Sequence, residues 1–498
     1  MSDATTVRRR PHGASRDTLL ATLRERFGFD EFRPGQEDII RAILDGRDTL
    51  AVMPTGAGKS LIFQLPALLL DGLTVVVSPL IALMKDQTDK LEELGVDALT
   101  INSGLTAREQ REAEEAVAAG AGDILYVTPE RFRDREFFET LLERRVALFV
   151  VDEAHCISHW GHDFRPDYMM LGAIADRLDR PPIVALTATA GPDVQDDIIS
   201  QLRMREPFRR IGELIRPNLL LEVQRTVNQA LKDAALEKLL GETDGTGIIY
   251  VATVKEAKRL YDELSQRWPV AMYHGKMHSK ERHEAQEMFM ADGVKAVIAT
   301  NAFGLGIDKQ DIRFIIHYHL PGSLEAYYQE AGRAGRDGGN ARCTILYREE
   351  DRAIQGYFLG GKYPDDGEAL NVARVVNGID DGDRMALNDI AKRADVARRK
   401  ARIVLTLMKR FGAVREYRGG AWERLIPDVT TVPLHDQLLD YESRRQADRA
   451  KLEAMVRYCR TAQCRTRQIL AYFGDDPGAE YRCGHCDNDT DIHGGANP

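Results

Sequence analysis

Lys59 stands in Met53-Pro54-Thr55-Gly56-Ala57-Gly58-Lys59-Ser60, a glycine-rich turn between an apolar run and a helical pattern. Glycines in such a turn let backbone N–H groups face inward around phosphate oxygens. The Lys59 ammonium can reach the β- and γ-phosphates of a nucleotide, and the Ser60 hydroxyl can ligate Mg²⁺. Thr55, Gly56, Ala57 and Gly58 complete the cradle. Asp152 follows 93 residues after Lys59, at the end of a second apolar run over 148–151. Its carboxylate is placed for the same Mg²⁺, and Glu153 for orienting and deprotonating an attacking water. An isolated acidic pair at a strand end is usually a helix cap. Joined to the loop at Lys59, it reads as half of a nucleotide-splitting site.

The same stretch runs on into Trp160, His162, Phe164, Arg165 and Tyr168. Three aromatics and an arginine within nine residues are the side chains that grip unstacked bases. One segment therefore joins nucleotide chemistry to a nucleic-acid contact. Further on, Gln329, Arg333 and Arg336 occur together, with the two arginines three apart and expected on one helix face. A guanidinium facing the γ-phosphate across a cleft would stabilise transition-state charge.

Four of the six cysteines fall in the last 40 residues: Cys459, Cys464, Cys483 and Cys486. Arg8-Arg9-Arg10 near the start is followed by no apolar run, so a secreted disulfide framework is not expected and metal is. Cys464, Cys483 and Cys486 give three donors, and Asp489, His493 and Cys459 compete for the fourth. Cys459 lies five residues before Cys464 on a helical pattern, which points it elsewhere by periodicity.

Composition frames these sites. Hydrophobic content of 43% and charged content of 29% are those of a soluble globular protein, and 498 residues suggest about three domains. No apolar run approaches the roughly 18 residues of a membrane span, so no membrane partner is expected. The net charge of −10 hides an uneven distribution: 392–424 holds 11 Lys and Arg against 3 Asp and Glu.

The elements that must position these residues are α/β. Short apolar runs at 49–52, 74–77, 124–127, 148–151 and 183–186 alternate with helical spacing, such as 81–94 and 108–119. That alternation predicts a doubly wound parallel sheet. It pauses over 205–218, then restarts at 247–251, 270–273, 296–299, 314–317 and 343–347. Two tandem α/β lobes follow, which resemble RecA-like lobes. Helical patterns at 387–393 and 397–411, then strand patterns at 413–417 and 422–426 around a Gly-rich turn, have the order of a winged helix. One last helical stretch, 436–472, leads to the cysteines. The expected domains are a basic tail and first helix over 1–26, lobe one over 27–206 and lobe two over 207–350. A winged-helix-like module over 351–432 and a helical zinc-binding module with tail over 433–498 complete them.

With these motifs in place the chain resembles the RecQ family of superfamily-2 DNA helicases over roughly 27–347 and the terminal cysteines. Phe32-Arg33-Pro34-Gly35-Gln36 resembles the family's adenine-reading motif, which implies Arg33 and Gln36 at the base. Segments 78–87 and 128–131 resemble its first-lobe DNA-contact motifs. Thr187-Ala188-Thr189-Ala190 resembles the segment that couples hydrolysis to strand contact, and 302–309, with Asp308, a motif near the ribose. Residues 160–168 resemble the aromatic-rich loop that senses single-stranded DNA. Three departures stand out. Met53 replaces the strict glycine of the phosphate loop, although it is ordinary in this family. His159 replaces a glutamine. Asp489 stands where the family has its fourth zinc cysteine, and on that ground is the favoured fourth ligand.

The resemblance implies ATP, Mg²⁺ and Zn²⁺ as cofactors. It implies 3′→5′ translocation on single-stranded DNA, and unwinding of forked or duplex DNA in repair, recombination or replication. A cytoplasmic monomer, nucleoid-associated if bacterial, is the matching expectation; protein partners are not indicated. Arg398, Arg399 and Arg402 open the expected recognition helix and are expected on duplex backbone. Two rivals are an RNA helicase with the same motor and a DNA-binding regulator whose motor is vestigial. Intact Lys59, Asp152, Glu153 and Arg336 oppose the second.

Overall fold

A computed structural model describes residues 14–54, 56–158, 163–304, 307, 309–361, 363–417 and 420–490. Thr55, His159, Trp160, His162, Asp308 and His493 lie outside the described residues. The chain forms two compact units. One contains Met1–Tyr318, Glu325–Leu346 and Thr461–Pro498; the other contains His319–Leu324 and Tyr347–Arg460.

The first unit holds both sheets. Sheet one comprises β1 (Thr49–Val52), β2 (Leu73–Val77), β3 (Ala98–Ile101), β4 (Ile124–Val127), β5 (Val146–Val151), β6 (Ile183–Thr187) and β7 (Phe208–Ile211). Its order is β3-β4-β2-β5-β6-β1-β7, all parallel. Alternate residues feed two cores. Val75, Val77, Phe149 and Val151 pack on one face, and Val76, Leu148, Val150 and Val184 on the other. Burial on both faces is why these strands read as continuous apolar runs. β7 falls in the stretch 205–218, where the rhythm seemed to pause. It is an edge strand with Arg209, Arg210 and Ile211 exposed, so it lacks the apolar signature.

Sheet two comprises β8 (Leu219–Arg225), β9 (Thr246–Tyr250), β10 (Val270–Tyr273), β11 (Ala296–Ala299), β12 (Ile312–His317) and β13 (Ala341–Tyr347). Its order is β10-β11-β9-β12-β13-β8. Lobe one thus has seven strands and lobe two six, where periodicity announced five in each; β3, β7 and β8 are the additions.

The second unit packs one core from the helices Asp366–Asn377, Leu387–Ala394 and Arg398–Arg410 and a small sheet, β14 (Met385–Ala386), β15 (Val414–Glu416) and β16 (Ala421–Arg424). Asp395, at φ 53, turns the chain between the second and third of these helices. Helix, turn, helix and antiparallel hairpin give the winged-helix order expected from the sequence. Leu434 and Leu438 of the helix Leu434–Arg460 pack in this core, and the compact unit runs on to Arg460. The single helical stretch expected over 436–472 is two helices, Leu434–Arg460 and Arg465–Tyr472. The Asn488 amide takes the carbonyls of Thr461 and Gln463 between them, which a continuous helix would use itself. No helix among the described residues is long and apolar enough to cross a membrane.

Candidate functional site

The ends of β1 and β5 and the second lobe line one cavity of about 550 Å³ in the first unit. Arg33, Gln36, Gly56, Gly58, Lys59 and Ser60 line it on one side. Asp152 and Glu153 follow β5, and Gln329, Arg333 and Arg336 come from lobe two. That volume suits a nucleotide-sized ligand.

The phosphate loop is shaped by its glycines. Gly56 and Gly58 adopt φ +84 and +77, which L side chains rarely adopt. A Cβ on Gly58 would also lie 2.5 Å from Gln36 Nε2. Gln36 is buried and holds the loop: its amide donates to Ala57 O (3.2 Å) and Gly58 O (3.1 Å), while its Oε1 accepts from Arg33 N (2.8 Å). The Arg33 guanidinium donates to Gly56 O. The two residues expected at the base thus meet the phosphate loop itself.

Lys59 is half-buried, and desolvation lowers its pKa against the pull of Glu153 and Asp152. Its ammonium donates to Met53 O at 3.1 Å. Asp152 accepts from Ser78 Oγ at 3.3 Å. Burial and the neighbouring Glu153 carboxylate push its pKa up, with Lys59 opposing. A divalent cation at this point would favour the ionised form, so Ser60 and Asp152 fit the donor set for Mg²⁺. Glu153 sits at φ 47. Its Oε2 lies 3.3 Å from His155 Nδ1, and that nitrogen lies 2.9 Å from Thr187 Oγ1 at the end of β6.

The two lobe-two arginines are not on a helix, contrary to the sequence expectation. The helix Leu324–Ala331 ends before them, and Gly332 and Gly335 carry the chain through successive turns. Gly335 needs φ +55, outside helical space. The arginines separate in role. Arg333 is buried and donates to Gly304 O, beside the Tyr250 hydroxyl. Arg336 donates to Ile307 O (3.0 Å), and its aliphatic stem lies against Gly56, where a Cβ would come within 3.2 Å. Arg336 is the guanidinium beside the phosphate loop, whereas Arg333 is held at Gly304.

The segment after Glu153 is tied back to the site. Tyr168 is buried and its hydroxyl donates to Asp152 O at 3.1 Å. Arg165 N donates to Cys156 O (2.9 Å), and the Arg165 guanidinium pairs with Asp163 and reaches Pro79 O (3.5 Å). Phe164 is half-buried. Trp160 and His162, expected to contact DNA, fall outside the described residues, as do Thr55 and Asp308. Residues that sequence reasoning did not single out also line the cavity: Phe27, Phe29 and Gln310; Ser78, read as part of a DNA-contact motif, lines it too. His155, buried beside Glu153, was missed as well, because its partner Thr187 lies 32 residues away.

Cys464, Cys483, Cys486 and Asp489 form one cluster, with ligand atoms all within 4.8 Å of one another. Donors around one tetrahedral zinc at about 2.3 Å lie roughly 3.8 Å apart, so the set fits zinc. Asp489 Oδ2 accepts from Cys483 N (2.7 Å) and Gly484 N (3.2 Å). Its Oδ1 is buried with no N–H at hydrogen-bond distance, 3.8 Å from Arg482 Nε and beside the Cys464 and Cys483 thiols, which leaves it open to a metal. Cys459 sits on the helix Leu434–Arg460 and is not in the cluster; His493 lies outside the described residues. The module docks on β8: Asp487 accepts from Val223 N, its N–H donates to Leu221 O, and its carboxylate pairs with buried Arg465 at 2.6 Å.

In the second unit Arg398, Arg399 and Arg402 are exposed on the helix Arg398–Arg410. Arg398 and Arg399 have no acidic partner among the described residues, while Arg402 lies 3.7 Å from Glu416. Lys400 is instead bound to Glu368.

Comparison with known proteins agrees with this geometry. Family profiles match a DEAD/DEAH box helicase over 33–198, a helicase conserved C-terminal domain over 231–338 and a RecQ zinc-binding region over 429–490. The chain is 36% identical to the probable ATP-dependent DNA helicase RecS of Bacillus subtilis, over 95% of this chain and 93% of that protein. It is 36% identical to the ATP-dependent DNA helicase RecQ of the same organism, over 94% of this chain and 66% of that one. The fold also resembles S. cerevisiae Dbp5 bound to RNA and ADP BeF3, with a TM-score of 0.55 at 22% identity. That match covers 70% of this chain and 92% of Dbp5. The chain belongs to the RecQ family of superfamily-2 ATP-dependent DNA helicases.

Proposed function

We propose that this chain couples Mg²⁺-dependent ATP hydrolysis to 3′→5′ movement along single-stranded DNA, and so unwinds forked and duplex DNA. DNA repair, recombination or replication is the setting for such unwinding. The observation that carries the reading is the direct tie between the DNA-facing segment and the hydrolytic pair. Tyr168 holds the Asp152 carbonyl, and His155 stands between Glu153 and Thr187. A base stacked on the segment before Tyr168 would shift the residues that present Glu153, so hydrolysis waits for DNA. Lys59 neutralises the β- and γ-phosphates, Ser60 and Asp152 hold the cation, Glu153 orients water, and Arg336 meets the developing charge. Held by Ser60 and Asp152, Mg²⁺ would supply positive charge against the phosphates. Gln329 lines the same cavity.

Strand displacement on forks with a single 3′ or 5′ tail tests the reading. Displacement from the 3′ tail alone is expected, and Lys59→Ala should abolish it. Displacement only from 5′ tails contradicts the polarity. Stronger stimulation of hydrolysis by RNA than by single-stranded DNA contradicts the substrate.

The winged-helix unit is proposed to grip duplex backbone through Arg398, Arg399 and Arg402. Replacing all three with alanine is expected to weaken duplex binding and to flatten the log–log salt dependence by about 0.9 per lost phosphate contact. An unchanged slope in the full chain removes these arginines from the interface.

A further inference from the structure

Between β7 and β8 the chain crosses from one sheet to the other through residues 212–218. This crossing is tied to the turn that carries Arg333 and Arg336. The Arg216 guanidinium donates to three backbone carbonyls of that turn: Gly332 (3.3 Å), Ala334 (3.0 Å) and Gly335 (2.8 Å). The Asn218 amide donates to Gly335 O (2.8 Å) and Gly339 O (2.9 Å). The Tyr328 hydroxyl adds a bond back to Leu214 O (2.8 Å). A planar guanidinium with five donors matches an array of three carbonyls, which an ammonium serves less well. The fit is close: a Cβ on Gly335 would lie 2.5 Å from Asn218 Nδ2. Arg216 also lines an apolar joint with Tyr328 against Ile469 and Leu470 of the helix that follows Cys464. Apolar neighbours there keep water from competing for the carbonyls.

We propose that Arg216 and Asn218 are positioning residues for hydrolysis. They fix where Arg336 stands relative to the phosphate loop, and they make the crossing and the arginine turn move as one body when the lobes close. Neither side chain lines the nucleotide cavity. The proposal rests on the reading of Arg336 as the arginine that meets the γ-phosphate.

A double-mutant cycle in the full zinc-loaded chain tests it, reading kcat and KM for ATP with saturating single-stranded DNA. Arg336→Ala is expected to lower kcat by about 1000-fold, the scale of an arginine finger. Arg216→Ala should lower kcat by about 30- to 100-fold through misplacement, with KM within about threefold. Arg216→Lys should recover part of that loss. The double variant should match Arg336→Ala alone, because Arg216 acts through Arg336. A double variant that loses the full product of the two effects, or an Arg216→Ala protein with unchanged kcat, overturns the proposal. If Arg336→Ala keeps its kcat, the reading of the nucleotide site fails first and the clamp falls with it. Should Arg216→Ala not fold, Arg216→Lys and Asn218→Ser carry the same cycle.

Discussion

Glu153→Gln is expected to lower DNA-stimulated ATP hydrolysis by about 10²- to 10⁴-fold, the range of a lost general base. Nucleotide and single-stranded DNA binding should be retained. The change removes a proton acceptor while keeping size and hydrogen-bonding reach. In the proposed reading, phosphate contacts come from Lys59 and the turn at Gly56 and Gly58 and the cation ligands are Ser60 and Asp152, so none of these cavity-lining groups is touched. Glu153 is held by the chain rather than by chance of rotamer. Its backbone adopts φ 47, β5 ends just before it, and His155 faces its carboxylate. Phosphate release with single-stranded DNA, set beside equilibrium binding of a non-hydrolysable nucleotide, checks this. Hydrolysis within threefold of the unaltered protein would remove Glu153 from the water-activating role.

The Glu153 neighbourhood also shows where sequence was legible and where it was not. Lys59, Ser60, Asp152 and Glu153 were readable because each motif is local: strand, turn and helix follow one another within about ten residues. Their shared cavity follows from two strands of one sheet. The link from His155 to Thr187 was not readable, since it depends on β5 and β6 lying side by side. The same holds for Arg216, whose acceptors lie more than 110 residues on. Gln36 and Arg33 were identified by motif, yet their contacts with the loop carbonyls depend on how the helix Gln36–Leu44 packs beside it.

Errors in the sequence reading have physical causes of the same kind. The arginines three apart suggested a helix face, but Gly332 and Gly335 break the helix, and the freed carbonyls are taken by Arg216 and Asn218. β7 went unread because an exposed edge strand buries too little to need apolar residues. The helix expected over 436–472 breaks where Cys464 must turn toward Cys483 and Cys486, a demand of the metal cluster that no helical propensity reports.

That cluster supplies the second large effect. Asp489→Ala is expected to weaken zinc binding by more than about 100-fold, the upper cost of losing even an outer-shell partner. Removing a ligand should cost more, since Asp489 Oδ1 has no N–H donor in place of a metal. Asp489→Cys should bind zinc at least as tightly, because a fourth thiolate completes a closed structural set. Structural zinc in small modules contributes about 10–16 kcal/mol of folding free energy, so the demetallated segment 461–490 should lose its fold. The loss would not stay local. Asp487 and Arg465 seat the module on β8, and Ile469 and Leu470 close the apolar joint beside Tyr328 and Gly332. The turn that presents Arg336 begins at Gly332, so hydrolysis should fall together with zinc content. Metal analysis, thermal unfolding and ATP turnover on the same preparations check this. An Asp489→Ala protein that keeps one zinc per chain at unchanged affinity would place the fourth ligand elsewhere.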